Sequence, residues 1–366
     1  PCYRQLLMLI ATRMPLPLLL TVCLLFLSAC GESGYLLQSV KGHLGLMSRA
    51  QPIDDILADD DASAVVIRQL ETVVKLREFA IASLHLPDNG SYHEYADLDR
   101  PYAVWNLTAA PEFSIAPSQW CFPVVGCVTY RGYFDQKSAL IEAENLAANG
   151  FDVDVYGVEA YSTLNWFDDP VLNTFLRHDD IHLAALLFHE MAHQVVYVPN
   201  ATTFNESFAK TVEIEGLRRW FQSHGSQDLW QECLQREKLS AEFRAFLNSI
   251  RQELQSVYLA DLQDEQKRLA KKNIIRNSYE RYARLKEEWG GYAGYDQWMN
   301  KGLNNARLSS VAVYHDLLPA FQALLQSVDY DLPSFYTEVR QLAELPQEIR
   351  QVKLQALSPR HNAYLY

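Results

Sequence analysis

Hydrophobic and polar positions change rhythm several times along the chain. Leu16 to Leu27 is apolar apart from Thr21, shorter than the ~20 residues of a comfortable membrane span. Residues 31 to 51 mix Gly31, Gly34, Gly42 and Gly45 with apolar positions and read as a tether or a docking segment. From Ile56 to Leu84 apolar residues recur at helical spacing. That helix is predicted to begin after Asp59-Asp60-Asp61, whose charges suit the positive end of the helix dipole. Residues 88 to 130 lose the period. Pro, Gly, Asn and aromatic residues predict short strands there, with Val124 to Tyr130 leading into Arg131-Gly132-Tyr133. Asp135 is placed to cap a helix that ends at Asn149-Gly150. Phe151 to Tyr156 alternates as a half-buried strand does. Beyond residue 179 the pattern is mostly helical. Charged helices fill 226 to 289, Gly290-Gly291 breaks them, and a further helical stretch holds Asn304, Asn305 and Tyr314. This predicts an α+β fold with a small sheet and a largely helical C-terminal region.

Candidate chemistry sits inside one of these helices. Leu183 to Phe188 runs into His189-Glu190-Met191-Ala192-His193, with Asp179 and Asp180 as N-terminal caps. Positions i and i+4 share a helix face, so His189 and His193 can grip one metal ion. A catalytic zinc takes three protein ligands and keeps one position for water. Pro199-Asn200 ends the helix, and a second helix is predicted near Thr203 with Glu206 in its first turn. Thr203-Phe204-Asn205-Glu206 fits a capping box; beside the histidine pair, Glu206 reads instead as the third ligand of one Zn²⁺. Glu190 is the expected general base. Glu213, two turns on, either orients a ligand histidine or pairs with Lys210 or Arg218. Tyr314, next to His315, is the candidate oxyanion donor. Arg131, Tyr133, Asn304 and Asn305 are candidate substrate-binding residues. His43, His85, His93, His178, His182, His224, His315 and His361 read as surface or core residues without a ligand partner. The Lys267 to Lys272 cluster, surrounded by acids, reads as a solvated face.

His189-Glu190-x-x-His193 followed by Asn205-Glu206-Ser207-Phe208-Ala209 resembles the gluzincin peptidases, and the second element resembles the glutamate helix of zinc aminopeptidases. The resemblance implies a zincin-like core with a metal-binding helix, a glutamate helix and a strand whose edge binds substrate backbone, a part for Phe151–Tyr156 or the strand ending at Tyr130. Nearly the whole mature chain also resembles a family of proteobacterial lipoproteins described as putative aminopeptidases. The stretches that carry this are Val128 to Phe134, Ala160 to Leu164, Trp166 to Pro170 and Asn304 to Leu308. The implied activity is zinc-dependent hydrolysis of peptide bonds. The His193–Glu206 gap is shorter than in the best-known zinc aminopeptidases, and their G-x-M-E-N element is absent, so an endopeptidase stays open. So does a scaffold lipoprotein with a vestigial site.

Leader and charge set the compartment. Arg4 and Arg13 precede the apolar run, and Leu27-Ser28-Ala29-Cys30 resembles a lipobox, so 1–29 is expected to be a signal peptide and Cys30 the lipidated residue of an anchored segment, 30–51. Met8 is an alternative start that keeps Arg13 in the leader. Gly31 after the cysteine favours the outer membrane, with the peptidase domain, 52–366, facing the periplasm. In that domain 88–158 is expected to be strand-rich, 180–222 to hold the metal site, and 226–345 to be helical. In an oxidising compartment Cys121 and Cys127 are the candidate disulfide, and Cys233 reads as a buried hydrophobe. Losing residues 1–29, which hold Arg4 and Arg13 and no acid, takes the formal charge from −13 to −15. That excludes a nucleic-acid partner, which needs a basic face, and leaves peptides as the substrate.

Overall fold

A computed structural model describes residues 30–122, 126–163, 167–311 and 317–357. It divides into two compact units, 1–48 and 49–366. In the first, Cys30–Met47 forms a helix, α1, continuous through the glycines that suggested a tether. The second begins with β1 (Ala50–Pro52), which pairs antiparallel with β2 (Glu94–Ala96). Residues 50 and 51, expected in the anchored segment, therefore belong to the sheet of the body. No helix among the described residues is long and apolar enough to cross a membrane.

The periodic stretch 56–84 is two helices, α2 (Ile53–Leu57) and α3 (Ala64–Leu84). Asp59, Asp60 and Asp61 form the turn between them, where Asp59 Oδ1 accepts from Asp61 N at 3.0 Å. The first turn of α3 contains no acid. Local Asx bonding has replaced the expected dipole pairing.

Three small sheets follow. The β1-β2-β8 sheet adds β8 (Val171–Leu172) parallel to β2. Trp120–Phe122 (β4) and Gly126–Val128 (β5) make a hairpin in which Cys121 and Cys127 face each other as a disulfide. The strand expected from Val124 to Tyr130 ends at Val128, and Arg131–Tyr133 is itself a strand, β6. It joins β3 (Val104–Pro111) and β7 (Phe151–Val158) in an antiparallel sheet of order β6-β3-β7, with Leu107 opposite both Arg131 and Val155. Asp135 caps α4 (Gln136–Ala148), its Oδ2 accepting from Ser138 N at 2.8 Å, and Gly150 takes the left-handed φ of 83° that stops the helix.

The helical half is α5 (Asn173–Leu176), α6 (Asp180–His193), α7 (Thr202–Ser223), α8 (Gln227–Leu259), α9 (Asp264–Glu288), α10 (Asp296–Asn300), α11 (Asn305–Val311), α12 (Leu318–Ser327), α13 (Leu332–Ala343) and α14 (Gln347–Leu357). Gly290 and Gly291, both at positive φ, end α9 as expected. Helix α6 packs between α3 and α7 and buries Leu183, Leu187, Phe188 and Met191 completely or nearly so. Each such side chain contributes roughly 2 kcal/mol. Gly216 of α7 makes the close approach possible: a Cβ there would lie 2.7 Å from the Phe188 ring and 2.8 Å from Leu84. A second core joins α8 to α9, α10 and α11 through Phe243, Leu247, Ile250, Leu254, Tyr282 and Leu308.

The alternation in β7 has a different meaning from the one its sequence suggests. Its polar face does not look into solvent. Asp152 pairs with Lys271 Nζ at 2.7 Å and accepts from Asn305 N at 2.8 Å. Asp154 is buried in a bidentate pair with Arg307. Both α4 and α11 pack on β3 and β7, so β3 is buried at its first seven positions. Within the basic cluster, Arg268 grips Glu112 through two bonds of 2.7 and 3.0 Å and Lys271 is mostly covered. Lys271 thus helps dock the helical half onto the sheet, while Arg268, Leu269 and Lys272 stay exposed, as a solvated face would be. Removing one partner of a buried pair strands the other charge. Asp154→Ala should therefore lower stability by roughly 3 kcal/mol, and adding Arg307→Met should restore part of the loss. Urea denaturation of both variants checks this; equal midpoints for parent and Asp154→Ala would refute the role given to the pair.

Candidate metal centre

Helix α6 opens on Asp179, whose Oδ1 accepts from His182 N at 2.8 Å, and carries His189 and His193 one turn apart near its C-terminus. The chain then turns through 194–201 into α7. Asn205 holds this turn with both ends of its amide: Oδ1 accepts from Val198 N and Nδ2 donates to Val198 O, each at 2.9 Å. Helix α7 starts at Thr202 with Ala201 at its cap and no side-chain cap bond. The capping-box reading of Thr203–Glu206 therefore fails. Glu206 lies in the second turn, and its carboxylate meets the histidines.

His189 Nε2 stands 3.2 Å from Glu206 Oε2 and 3.2 Å from His193 Nε2, and His193 Nε2 is 3.7 Å from Glu206 Oε1. The three donor atoms lie within 4.8 Å of one another. On its other side His189 Nδ1 meets Glu213 Oε2 at 3.2 Å, while Glu213 Oε1 accepts from Lys210 Nζ at 2.7 Å. Glu213 thus touches both His189 and Lys210. Lys210 also pairs with Glu237 at 2.9 Å, and Glu237 with Arg244 at 2.9 Å.

Burial governs protonation here. It opposes charge on His189, but the Glu206 and Glu213 carboxylates overcome it and lift the ring to about 10. Burial and the neighbouring His189 push His193 down to about 4. Burial raises Glu190 to about 7; His189 opposes, and the negative Glu206, Asp169 and Glu213 add to the rise. Glu213 is held near 2 against its own burial, by Lys210 and His189. With Nδ1–H donating to Glu213, a cation that displaced the Nε2 proton of His189 would meet that lone pair, the carboxylate of Glu206 and the ring of His193 together. Acceptors that close repel unless a proton or a cation lies among them. Two imidazoles and a carboxylate fit a borderline divalent ion such as zinc.

One wall of the site gave no signal in the sequence. Arg77 of α3 is buried; its Nε donates to Ser91 O at 3.1 Å, and its Nη2 to Asn89 O at 2.7 Å and Asp88 Oδ1 at 2.8 Å. Asn89 in turn reaches Gln194 Oε1 at 3.0 Å, just past α6. The knotted loop sets buried Tyr92 at a φ of 63°, unusual for a bulky residue, with its N–H on Asp169 O at 2.7 Å. Burial and the charges of Glu190 and Asp169 raise the Tyr92 phenol well above its ordinary value, so it stays a proton donor. Asp169 accepts from Ser162 Oγ, Thr163 N and Thr163 Oγ1 at 2.8 to 3.0 Å. The disulfide hairpin reaches the turn between α6 and α7, Cys127 N donating to Asn200 Oδ1 at 3.2 Å. A cavity of about 520 Å³ reaches Lys210, Glu213 and Glu237 from the far side, and none of His189, Glu190, His193 and Glu206 lines it.

Other expected site residues lie elsewhere. Arg131, buried, faces Glu142 at 3.4 Å, and Tyr133 is buried in β6. Asn304 donates to Val153 O and caps Arg307 N; Asn305 bridges Pro111 O, Glu112 O and Tyr258 Oη. Asn304 and Asn305 are committed to docking α11 on the sheet. Tyr314 lies outside the described residues. Cys233 is buried and free, as expected. His178 and His182 are not isolated: both meet Glu159.

A family model with the description Putative aminopeptidase matches residues 34–354. No curated protein and no solved structure matches.

Glu213→Gln keeps the shape but gives up the charge that orients His189. Zinc retention, measured by equilibrium dialysis, should weaken by roughly 10- to 100-fold. Unaltered retention would remove Glu213 from the centre.

Proposed function

The chain belongs to the family described as Putative aminopeptidase, and from that premise we propose that it is a zinc-dependent peptidase whose metal is held by His189, His193 and Glu206. The observation that carries the proposal is the convergence of those three donors near a part-buried glutamate whose proton affinity is raised. Zinc, when bound, supplies Lewis acidity toward water and a peptide carbonyl. Glu190 takes the proton of the attacking water on its carboxylate and returns it to the nitrogen of the departing amine. Its raised affinity for a proton suits a base that must also act as the acid. Glu213 holds the Nδ1 proton of His189 and so keeps Nε2 turned to the metal. Tyr92, whose phenol stays protonated partly through the charge of Glu190, is a candidate donor for negative charge developing in the site.

The fold around the centre, a metal helix and a glutamate helix beside small sheets, supports a zincin of gluzincin type. The leader pattern, Arg4 and Arg13, the apolar run and Leu27-Ser28-Ala29-Cys30, supports an envelope lipoprotein anchored through Cys30 and facing the periplasm, with the outer membrane favoured. Residues 1–29 lie outside the described residues. Trimming from a free N-terminus is the activity favoured by the family.

Full chain incubated with peptides, either free or acetylated at the N-terminus, should release single residues from the free peptides alone. Products are read by mass spectrometry. Internal cuts in both sets would make the protein an endopeptidase. Glu190→Gln should lower kcat/KM by roughly 10²- to 10⁴-fold with zinc retained, whereas His193→Ala should lose zinc as well. Full activity in Glu190→Gln would overturn the mechanism.

A further inference from the structure

His178 and His182, four residues apart, bracket the N-terminus of α6. His178 lies in the connection after α5, and His182 in the first turn of α6. Their rings stand 4.1 Å apart. Glu159 follows the last residue of β7 and brings its carboxylate to the pair. His178 Nε2 is 2.8 Å from Glu159 Oε2, and His182 Nε2 is 3.5 Å from the same oxygen. His182 Nε2 is itself covered, although the side chain is part-exposed, and that Glu159 oxygen is its partner. The three donor atoms fall within 4.8 Å of one another.

We propose that Glu159, His178 and His182 form a second divalent-metal site, separate from the His189–His193–Glu206 centre. The donor set is the same in kind, two imidazoles and one carboxylate. Imidazole nitrogens select zinc, nickel or copper over magnesium or calcium. Bonds of about 2.1 Å to one ion place its ligand atoms about 3.4 Å apart, close to the 2.8 and 3.5 Å from Glu159 to the two imidazoles. The backbone is set before any ion arrives. Thr174 Oγ1 donates to Glu159 O at 2.5 Å, Gln69 Nε2 donates to His178 O at 3.3 Å, and Asp179 caps the turn that carries His182. Arg177 Nη2 occupies Glu159 Oε1 at 2.6 Å and leaves Oε2 to the imidazoles. Its positive charge makes this the weaker of the two sites. His178 and His182 remain part-exposed, so water can complete the coordination. An ion here ties the end of β7 to the start of the helix whose other end carries His189 and His193. It would act as a clamp on that helix, without a part in the reaction.

The bland alternative is a salt bridge between Glu159 and a protonated histidine, with no affinity for metal. Zinc titration of the full chain against a chromophoric chelator, with cobalt absorption as a second readout, separates the two. The parent should take up two equivalents and His182→Gln one. His193→Ala, which disables the first centre, should still bind one, and that one should vanish when His182→Gln is added. Glu159→Gln, nearly isosteric, must lose the same equivalent, which keeps the result independent of any folding defect in His182→Gln. If the parent binds a single equivalent that His182→Gln and Glu159→Gln abolish and His193→Ala does not, the proposed peptidase centre fails and this site stands. If His182→Gln and Glu159→Gln bind as much metal as their parents in both backgrounds, the second site does not exist.

Discussion

Glu213 is the carboxylate on which the arrangement turns. It sits buried on α7 between the ammonium of Lys210 and the ring of His189. A buried anion persists only when partners offset its desolvation, and here the partners pass its charge in two directions. Toward the site it fixes the His189 ring. Away from the site, Lys210, Glu237 and Arg244 extend the alternation of charges into α8. Two histidines and three glutamates can therefore share a small dry volume. Helix spacing adds the remaining condition. Because Gly216 lets α7 lie close against Phe188 and Leu84, the carboxylates on α7 come within bonding distance of α6.

A related economy joins the two halves of the larger unit. The β6-β3-β7 sheet presents acids, not apolar residues, to part of the helical half. Asp152 and Asp154 meet Lys271 and Arg307, and Glu112 meets Arg268. Ion pairs of this kind add little net stability over a hydrophobic contact, but they fix how the elements meet. Asn304 and Asn305 complete the seam with bonds to strand carbonyls.

Much of this was legible in the sequence where the physics is local. The i,i+4 histidines, the Asp135 and Asp179 caps, the Gly290-Gly291 stop and the alternation of β7 all follow from short-range rules. Glu206 and Glu213 were readable because they lie on the very next helix. What escaped depends on partners far along the chain. Burial turned the polar face of β7 inward, which alternation alone cannot reveal. Arg131, Asn304 and Asn305 have the chemistry of ligand-binding residues, yet Asn304 and Asn305 make their bonds within the fold and Arg131 faces Glu142. His178 and His182 stand four residues apart, yet the sequence reading gave them no ligand partner, and Glu159 lies 19 residues before His178 on a strand end, where nothing in the local pattern joins it to them. Tyr92 reaches the site only through the loop that Arg77 ties.

The turn held by Asn205 has a consequence for how the centre comes into being. Every candidate ligand, the base and the orienting carboxylate fall between residues 189 and 213, on two helices joined by eight residues. Contacts so near in sequence cost little loop entropy and form early in folding. A helical hairpin that has only begun to collapse already carries a complete donor set. On the reading proposed above, a divalent ion could be captured before the sheets and the C-terminal helices have closed. The ion met first during folding, not only the one preferred at equilibrium, would then bear on which metal such a centre holds.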